Sequence, residues 1–214
     1  MIPDWPAERC KMVEQQLRDR GIRDHHVLRA MGEIPREQFV PPDERVSAYA
    51  DAPVPIGFGQ TISQPYMTAL MAELLELAGR ETVLEVGSGC GYAAAVLGAM
   101  AARVLTVEIV PPLARLAREN LHRTWRDDNV TVIDGDGSCG FRAHAPYDAI
   151  SVAAAAPDIP IALIEQLNDP GVLIIPVGEP DQELRVVRKR RGRIDYSVAT
   201  LCRFVPLRGG EGWR

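Results

Sequence analysis

Val83 to Tyr92 (VLEVGSGCGY) places a carboxylate, Glu85, two residues ahead of three glycines at alternate positions, and a second carboxylate, Glu108, closes the next apolar stretch, Val104 to Val107. The first run reads as a buried parallel strand ending at Val86. Gly87, Gly89 and Gly91 let the backbone turn sharply and approach a ligand where a Cβ would collide. Glu108, 21 residues after Gly87, falls at the tip of the neighbouring strand, where a carboxylate can accept both hydroxyl protons of a ribose. The unit is expected to bind a ribonucleoside.

Finer spacing narrows the ligand. A dinucleotide fingerprint needs GxGxxG, and its sixth position here is Tyr92. The order is instead ExGxGxG, which resembles the first motif of S-adenosylmethionine (SAM) dependent methyltransferases. A carboxylate beside the loop suits a ligand that carries an ammonium and a sulfonium, whereas it would repel a pyrophosphate.

Elements that could position this unit follow from periodicity. Ala7 to Arg20 has helical spacing and stops at Gly21, Asp24 is a candidate N-cap for a helix through Met31, and Tyr49 to Gln60 reads as an irregular Pro/Gly-rich loop. Gln64 to Leu77 predicts a helix with Pro65 in its first turn. Strands and helices then alternate: Thr82 to Val86, Ala93 to Met100, Val104 to Glu108, Pro111 to Leu121, Val130 to Ile133, Tyr147 to Val152, Ile161 to Leu167 and Val172 to Val177. Leu184 to Pro206 reads as a closing hairpin that turns at Gly192. The pattern predicts a doubly wound, mostly parallel α/β sheet.

At 214 residues, 46% hydrophobic and 25% charged, the chain is expected to form one domain, with residues 1–60 as an N-terminal helical and loop extension and 61–214 as the core. Cys10, Cys90, Cys139 and Cys202 form no CxxC pair, and the four histidines show no ligand spacing, so no metal is expected. Cys90 reads as a small residue tolerated in the turn. The N-terminus lacks a secretory pattern and the longest apolar and glycine run, Ala93 to Ala102, is about half a membrane span. No membrane association and a cytoplasmic location are expected. The net charge of -5 argues against nucleic-acid binding, and Arg185 to Arg193 (RVVRKRRGR) reads first as a solvated hairpin.

Several further stretches together resemble protein-L-isoaspartate (D-aspartate) O-methyltransferases over nearly the whole chain. Gly57 to Met67 (GFGQTISQPYM) is the most diagnostic. Gly21 to Val40, Asp134 to Gly137 (DGDG), Tyr147 to Pro160, Gly171 to Gly178 and Arg203 to Trp213 support it in the same order. The resemblance implies a seven-stranded Rossmann-like fold, SAM as cofactor, and methyl esterification, by a monomer, of L-isoaspartyl residues at their free α-carboxylate, together with D-aspartyl residues, in damaged proteins. It further implies that Gly87, Ser88, Gly89 and Gly91 line the methionine side of SAM and that Glu85 backs the loop. Glu108, with Ile109, would hold the ribose, and Asp136 and Gly137 would meet the adenine. Ser63 would stand at the active site, with Thr61 and Ile62 shaping the pocket. A groove for the substrate backbone is expected near Ala153 to Ala156 and Phe204 to Leu207. Ala153 and the glycine-rich ending GGEGWR depart from many relatives, which bears on selectivity.

Ser63 has a second reading, as the N-cap of the helix that Pro65 opens. Other functions share parts of the pattern. A small-acid SAM methyltransferase, or one specialised for a single aspartyl peptide, would keep VLEVGSGCGY and Glu108, and so would a non-catalytic SAM-binding protein. A nucleic-acid methyltransferase would need an acidic-aromatic motif after the fourth strand, where this chain has AAAAPDIP.

Overall fold

The computed structural model describes residues 3–124 and 128–213. Helix α1 (Trp5–Lys11) starts at Asp4, whose carboxylate accepts the Ala7 N–H at 3.2 Å. It continues directly into a π-helical stretch, Met12–Arg18, that buries Met12, Val13 and Leu17. Helix α2 (His25–Glu33) is capped as expected by Asp24, which accepts the His26 N–H at 2.7 Å. The loop expected over Tyr49 to Gln60 is in part regular: β1 (Val54–Gly57) pairs antiparallel with β2 (Gln60–Ile62). Strands this short carry no readable periodicity. They form because pairing lets Val54, Ile56 and Ile62 reach the core. Helix α3 (Pro65–Leu74) follows, ending earlier than the apolar spacing predicts.

The remaining elements are β3 (Thr82–Val86), α4 (Tyr92–Gly98), β4 (Arg103–Glu108), α5 (Pro111–Thr124), β5 (Val130–Asp134), β6 (Tyr147–Val152), α6 (Ile161–Glu165), β7 (Leu167–Val177), β8 (Gln182–Arg190) and β9 (Arg193–Cys202). Strand β7 starts at Leu167, where the sequence pattern predicts the end of a helix. Its first residues, LNDPG, bear no strand signature and are drawn in by pairing of Leu167 with Tyr147.

Seven strands form one sheet in the order β5-β4-β3-β6-β7-β8-β9, parallel from β5 through β7 and antiparallel beyond. Successive strand residues feed opposite cores. Val83, Val104, Ala149 and Ile174 face one side with the N-terminal helices, while Leu84, Val86, Leu105, Ile150 and Leu173 face the other. Both faces are covered, which is why these strands read as largely apolar runs without strict alternation. Glu85 and Thr106 interrupt the first face, and the parallel register sets Glu85 beside Thr106 on one strand and Ser151 on the other.

The basic stretch is a braced hairpin. Arg191 and Gly192 make its turn, and their N–H groups reach Asp169 at 2.7 and 2.6 Å. Arg188 and Arg190 both pair with Glu76, at 2.7 and 3.4 Å.

Candidate active site

The order in which strands are added reverses at β3, because β4 and β5 lie on one side of it and β6 on the other. The crevice outside the carboxyl ends of such strands is where doubly wound folds bind ligands. A cleft opens there. Of the residues the sequence singled out, Thr61, Ile62, Ser63, Gly87, Ser88, Gly89, Glu108, Ile109 and Gly137 line it; Glu85, Gly91 and Asp136 do not.

The glycine loop is held from behind. The Thr106 hydroxyl donates to Glu85 Oε2 and lies 2.6 Å from Ser88 Oγ, so a row of polar groups ties β3 and β4 to the loop. Burial pushes the Glu85 carboxyl up to about 7, against the opposing Thr106 hydrogen bond. Its Oε1 is buried with no hydrogen-bond partner among the described residues. Glu85 faces a smaller recess that shares Ser63, Thr68, Ala93 and Ala153 with the main cleft. Gly91 serves packing instead of lining: at φ +89°, a Cβ there would lie 3.2 Å from both Cα and O of Ala117 on α5.

Glu108 is buried at the end of β4, and each of its oxygens already takes a backbone N–H. Oε2 accepts from Gly89 at 2.8 Å and Oε1 from Val110 at 2.9 Å. These bonds fix the carboxylate, and the second lone pair on each oxygen remains for ligand hydroxyls. Gly137 closes the same wall. A Cβ there would meet Val86 Cγ1 at 2.8 Å and Val107 Cβ at 3.2 Å, so only a bare backbone fits against the strand tips. Cys90 is buried and its thiol is pushed up to about 11 by burial, which leaves it a packing residue.

The facing wall begins at the β1–β2 hairpin. Ser63 follows the last residue of β2, but it does not cap α3: Gln64 occupies the N-cap position and makes no side-chain cap bond. The hydroxyl of Ser63 has no protein partner among the described residues, while its carbonyl accepts a 2.7 Å bond from Arg36. The N-cap reading fails because Pro65 is the first helical residue, so the cap falls on the residue between.

The C-terminal segment completes that wall. Val205, Pro206, Leu207 and Arg208 line the cleft opposite Ala153 and Ala154. Ala155 pairs with this segment, donating to Val205 O and accepting from Leu207 N, both at 2.8 Å. The groove expected from the sequence is therefore narrower there: Ala155 and Ala156 are buried in pairing and only the first two alanines reach the cleft. Trp213 Nε1 donates to Ala155 O at 2.7 Å. Asp136 holds this tail, since its carboxylate accepts from Ser138 N and Gly210 N at 2.8 Å, and Ser138 Oγ takes the Glu211 N–H at 3.0 Å. Partial burial opposes ionisation of Asp136, yet the Gly210 and Ser138 hydrogen bonds outweigh it and keep the carboxyl below its ordinary range.

These residues fit a nucleoside bearing a cationic amino-acid arm. A fixed carboxylate suits ribose hydroxyls, a bare backbone at Gly137 admits a flat base, and the unpartnered Glu85 Oε1 suits an ammonium or its water. Residues missed in the sequence include Arg36, Ser151 and Arg208. Only Ser151 carries a local signal, as a polar residue in the apolar strand YDAISV.

Comparison with known proteins agrees. The family model for Protein-L-isoaspartate(D-aspartate) O-methyltransferase (PCMT) matches residues 7–212. The chain is 52% identical over 213 residues to a Protein-L-isoaspartate O-methyltransferase of Koribacter versatilis, covering 99% of this chain and 96% of that one. It is 50% identical over 212 residues to that of Geobacter metallireducens, covering 98% of each. A Plasmodium falciparum beta-aspartate methyltransferase (PCMT), solved with S-adenosyl-L-homocysteine, superposes with a TM-score of 0.81 at 28% identity over 94% of this chain and 98% of that one. This chain thus belongs to the protein-L-isoaspartate(D-aspartate) O-methyltransferase family.

Proposed function

We propose that this protein uses SAM to esterify the free α-carboxylate of L-isoaspartyl residues, and the free side-chain carboxylate of D-aspartyl residues, in damaged proteins and peptides. The observation that carries the site assignment is Ser63: a hydroxyl without a protein partner, on the wall facing the glycine loop and Glu108. Bound in the cleft, SAM supplies an electrophilic methyl on a sulfonium. The residues of the chain have only to hold it and aim the carboxylate.

A peptide α-carboxyl titrates near about 3.3 to 3.7 and is ionised at neutral pH, so the protein needs no general base. Ser63 donates to one carboxylate oxygen and leaves the other to face the methyl. Such alignment is worth up to roughly 7 to 11 kcal/mol in well-oriented cases. A neutral donor suits this step, because charge on the attacking oxygen falls as the bond forms and a tight cationic clamp would stabilise the ground state more than the transition state. Glu108 and Ile109 hold the ribose, Gly87 to Gly89 the methionine arm, Gly137 the adenine, and Glu85 backs the loop and favours the ammonium. Thr61, Ile62, Ala153, Ala154 and Val205 to Leu207 shape the groove for the substrate backbone.

The methyl ester then closes without the enzyme: the next backbone nitrogen attacks the ester carbonyl, methanol leaves, and hydrolysis of the succinimide returns part of the chain to normal aspartate. The reading extends to a monomer at work in the cytoplasm on protein substrates and not on nucleic acid. Four free cysteines, no helix among the described residues long and apolar enough to cross a membrane, and the pairing of Arg188 and Arg190 with Glu76 support it.

Transfer of labelled methyl to two synthetic peptides that differ only in one isoaspartyl or aspartyl linkage tests the proposal. Label on the isoaspartyl peptide alone, as a base-labile ester, is the expected result. Equal labelling of both, or of neither while SAM still binds, would overturn it.

A further inference from the structure

Arg36 is fully buried and pairs with no carboxylate among the described residues. Its Nε donates to the carbonyl of Ala48 at 2.6 Å and its Nη2 to the carbonyl of Ser63 at 2.7 Å. Nη1 is buried with no hydrogen-bond partner among the described residues. The guanidinium carbon lies 4.9 Å from the ring centroid of Tyr92, the first residue of α4 after the glycine loop, and Phe39 packs edge-on against that ring at 5.5 Å. Burial lowers the Arg36 pKa, with Tyr92 opposing that shift.

Burying a guanidinium without a counter-ion costs several kcal/mol, so this arrangement is a poor way to gain stability alone. What it does supply is rigidity at one peptide plane. Ser63 is held on its N-terminal side by β2, where Ile62 pairs with Val54, and on its C-terminal side the chain turns at Gln64 into α3. Between those anchors, the Ser63 carbonyl is fixed by Arg36. The planar fork reaches two carbonyls at once and rests against the Tyr92 ring, a combination that a lysine ammonium on a flexible stem cannot reproduce.

We propose that Arg36 is the positioning residue for Ser63: by clamping the Ser63 carbonyl against the Ala48 carbonyl and the Tyr92 ring, it aims the Ser63 hydroxyl at the substrate carboxylate. Arg36 itself does not line the cleft. The proposal rests on Ser63 being the orienting donor.

The test is a double-mutant cycle of Arg36→Lys and Ser63→Ala, reading kcat with the isoaspartyl peptide, KM for that peptide and the Kd of SAM. Arg36→Lys lowers kcat by about ten- to a hundredfold, the scale expected when a reacting group is misplaced by a fraction of its contact distance. SAM Kd changes by less than about threefold. In the Ser63→Ala background, Arg36→Lys costs less than about a further twofold in kcat, since a clamp has nothing left to aim. Multiplying losses would assign Arg36 to general stability and overturn the proposal, and so would an Arg36→Lys enzyme with full kcat. A Ser63→Ala enzyme of unchanged kcat is a different failure: it removes the role of Ser63, and that of Arg36 with it. Should Arg36→Lys fail to fold, Arg36→Gln, with a neutral amide donor, enters the same cycle with the same outcomes.

Discussion

One wall of the cleft comes mostly from one stretch, β3 through Glu108, with Gly137 closing it, and is held by bonds between neighbouring strands. The facing wall is assembled from the β1–β2 hairpin and the end of the chain, and its anchors span long sequence separations: Arg36 to Ser63, Asp136 to Gly210 and Trp213 to Ala155. The first wall is buried and built for one invariant ligand. The second is partly exposed, with Thr61, Pro206 and Arg208 open to solvent. On the proposed function, cofactor grip and substrate aim fall to separately supported parts of the molecule, and damage to one should leave the other measurable.

The sharpest separation is expected at Ser63. Removing one pre-placed donor, as in Ser63→Ala, should lower kcat by about a hundred- to a thousandfold, while calorimetric SAM affinity stays close to that of the parent; a parallel collapse of both would merge the two walls. Glu108→Ala should do the reverse. Loss of charged hydrogen bonds there weakens SAM by about 1 to 3 kcal/mol, with kcat at saturating SAM little changed.

A smaller effect belongs to Glu85. Its folded-state carboxyl is raised to about 7 by burial, above its ordinary value of 4.5. A cationic ligand favours the ionised form, so SAM affinity should rise about tenfold from pH 6 to pH 8, following the ionised fraction. Glu85→Gln should flatten that profile. Stability of the ligand-free protein runs the other way. The folded state keeps a proton the unfolded chain loses, so this contribution is complete below pH 4.5 and is lost as pH climbs through 7, on the order of 3 kcal/mol in all. A denaturation series across that range, on parent and Glu85→Gln, reads the sign directly.

The mildest change is expected at Asp136→Asn, which weakens the hold on the Gly210 and Ser138 N–H groups. Peptide KM should rise about three- to fivefold with SAM Kd nearly constant. A larger change in SAM Kd than in peptide KM would return Asp136 to the cofactor wall.

Legibility follows the same division. The strand and helix alternation, the glycine loop and Glu108 were readable because a buried parallel strand and its turn declare themselves within a few residues. From sequence the hairpin β1–β2 reads as loop, since strands of three and four residues offer no period. The first residue of β7, Leu167, reads as the end of a helix, because its pairing partner, Tyr147, lies far back in the chain. Asp136 stands next to Gly137 in a motif whose resemblance implies adenine contact, while one of its oxygens accepts from Ser138 and the other from Gly210 of the C-terminal tail, whose approach no local pattern announces.

By itself, then, the sequence determined the order of elements, both apolar faces of the sheet, the ligand-facing turn and the carboxylate at the neighbouring strand tip, all of which depend on residue types at short spacing. The tertiary structure alone decided that Ser63 is free of the helix cap, that Glu85 turns to a recess behind the loop, that Arg36 reaches the Ser63 carbonyl and that Asp136 meets the C-terminal tail. Those outcomes depend on which backbone groups from distant segments meet in space, and each buried donor or acceptor must be matched by whatever the fold brings within reach.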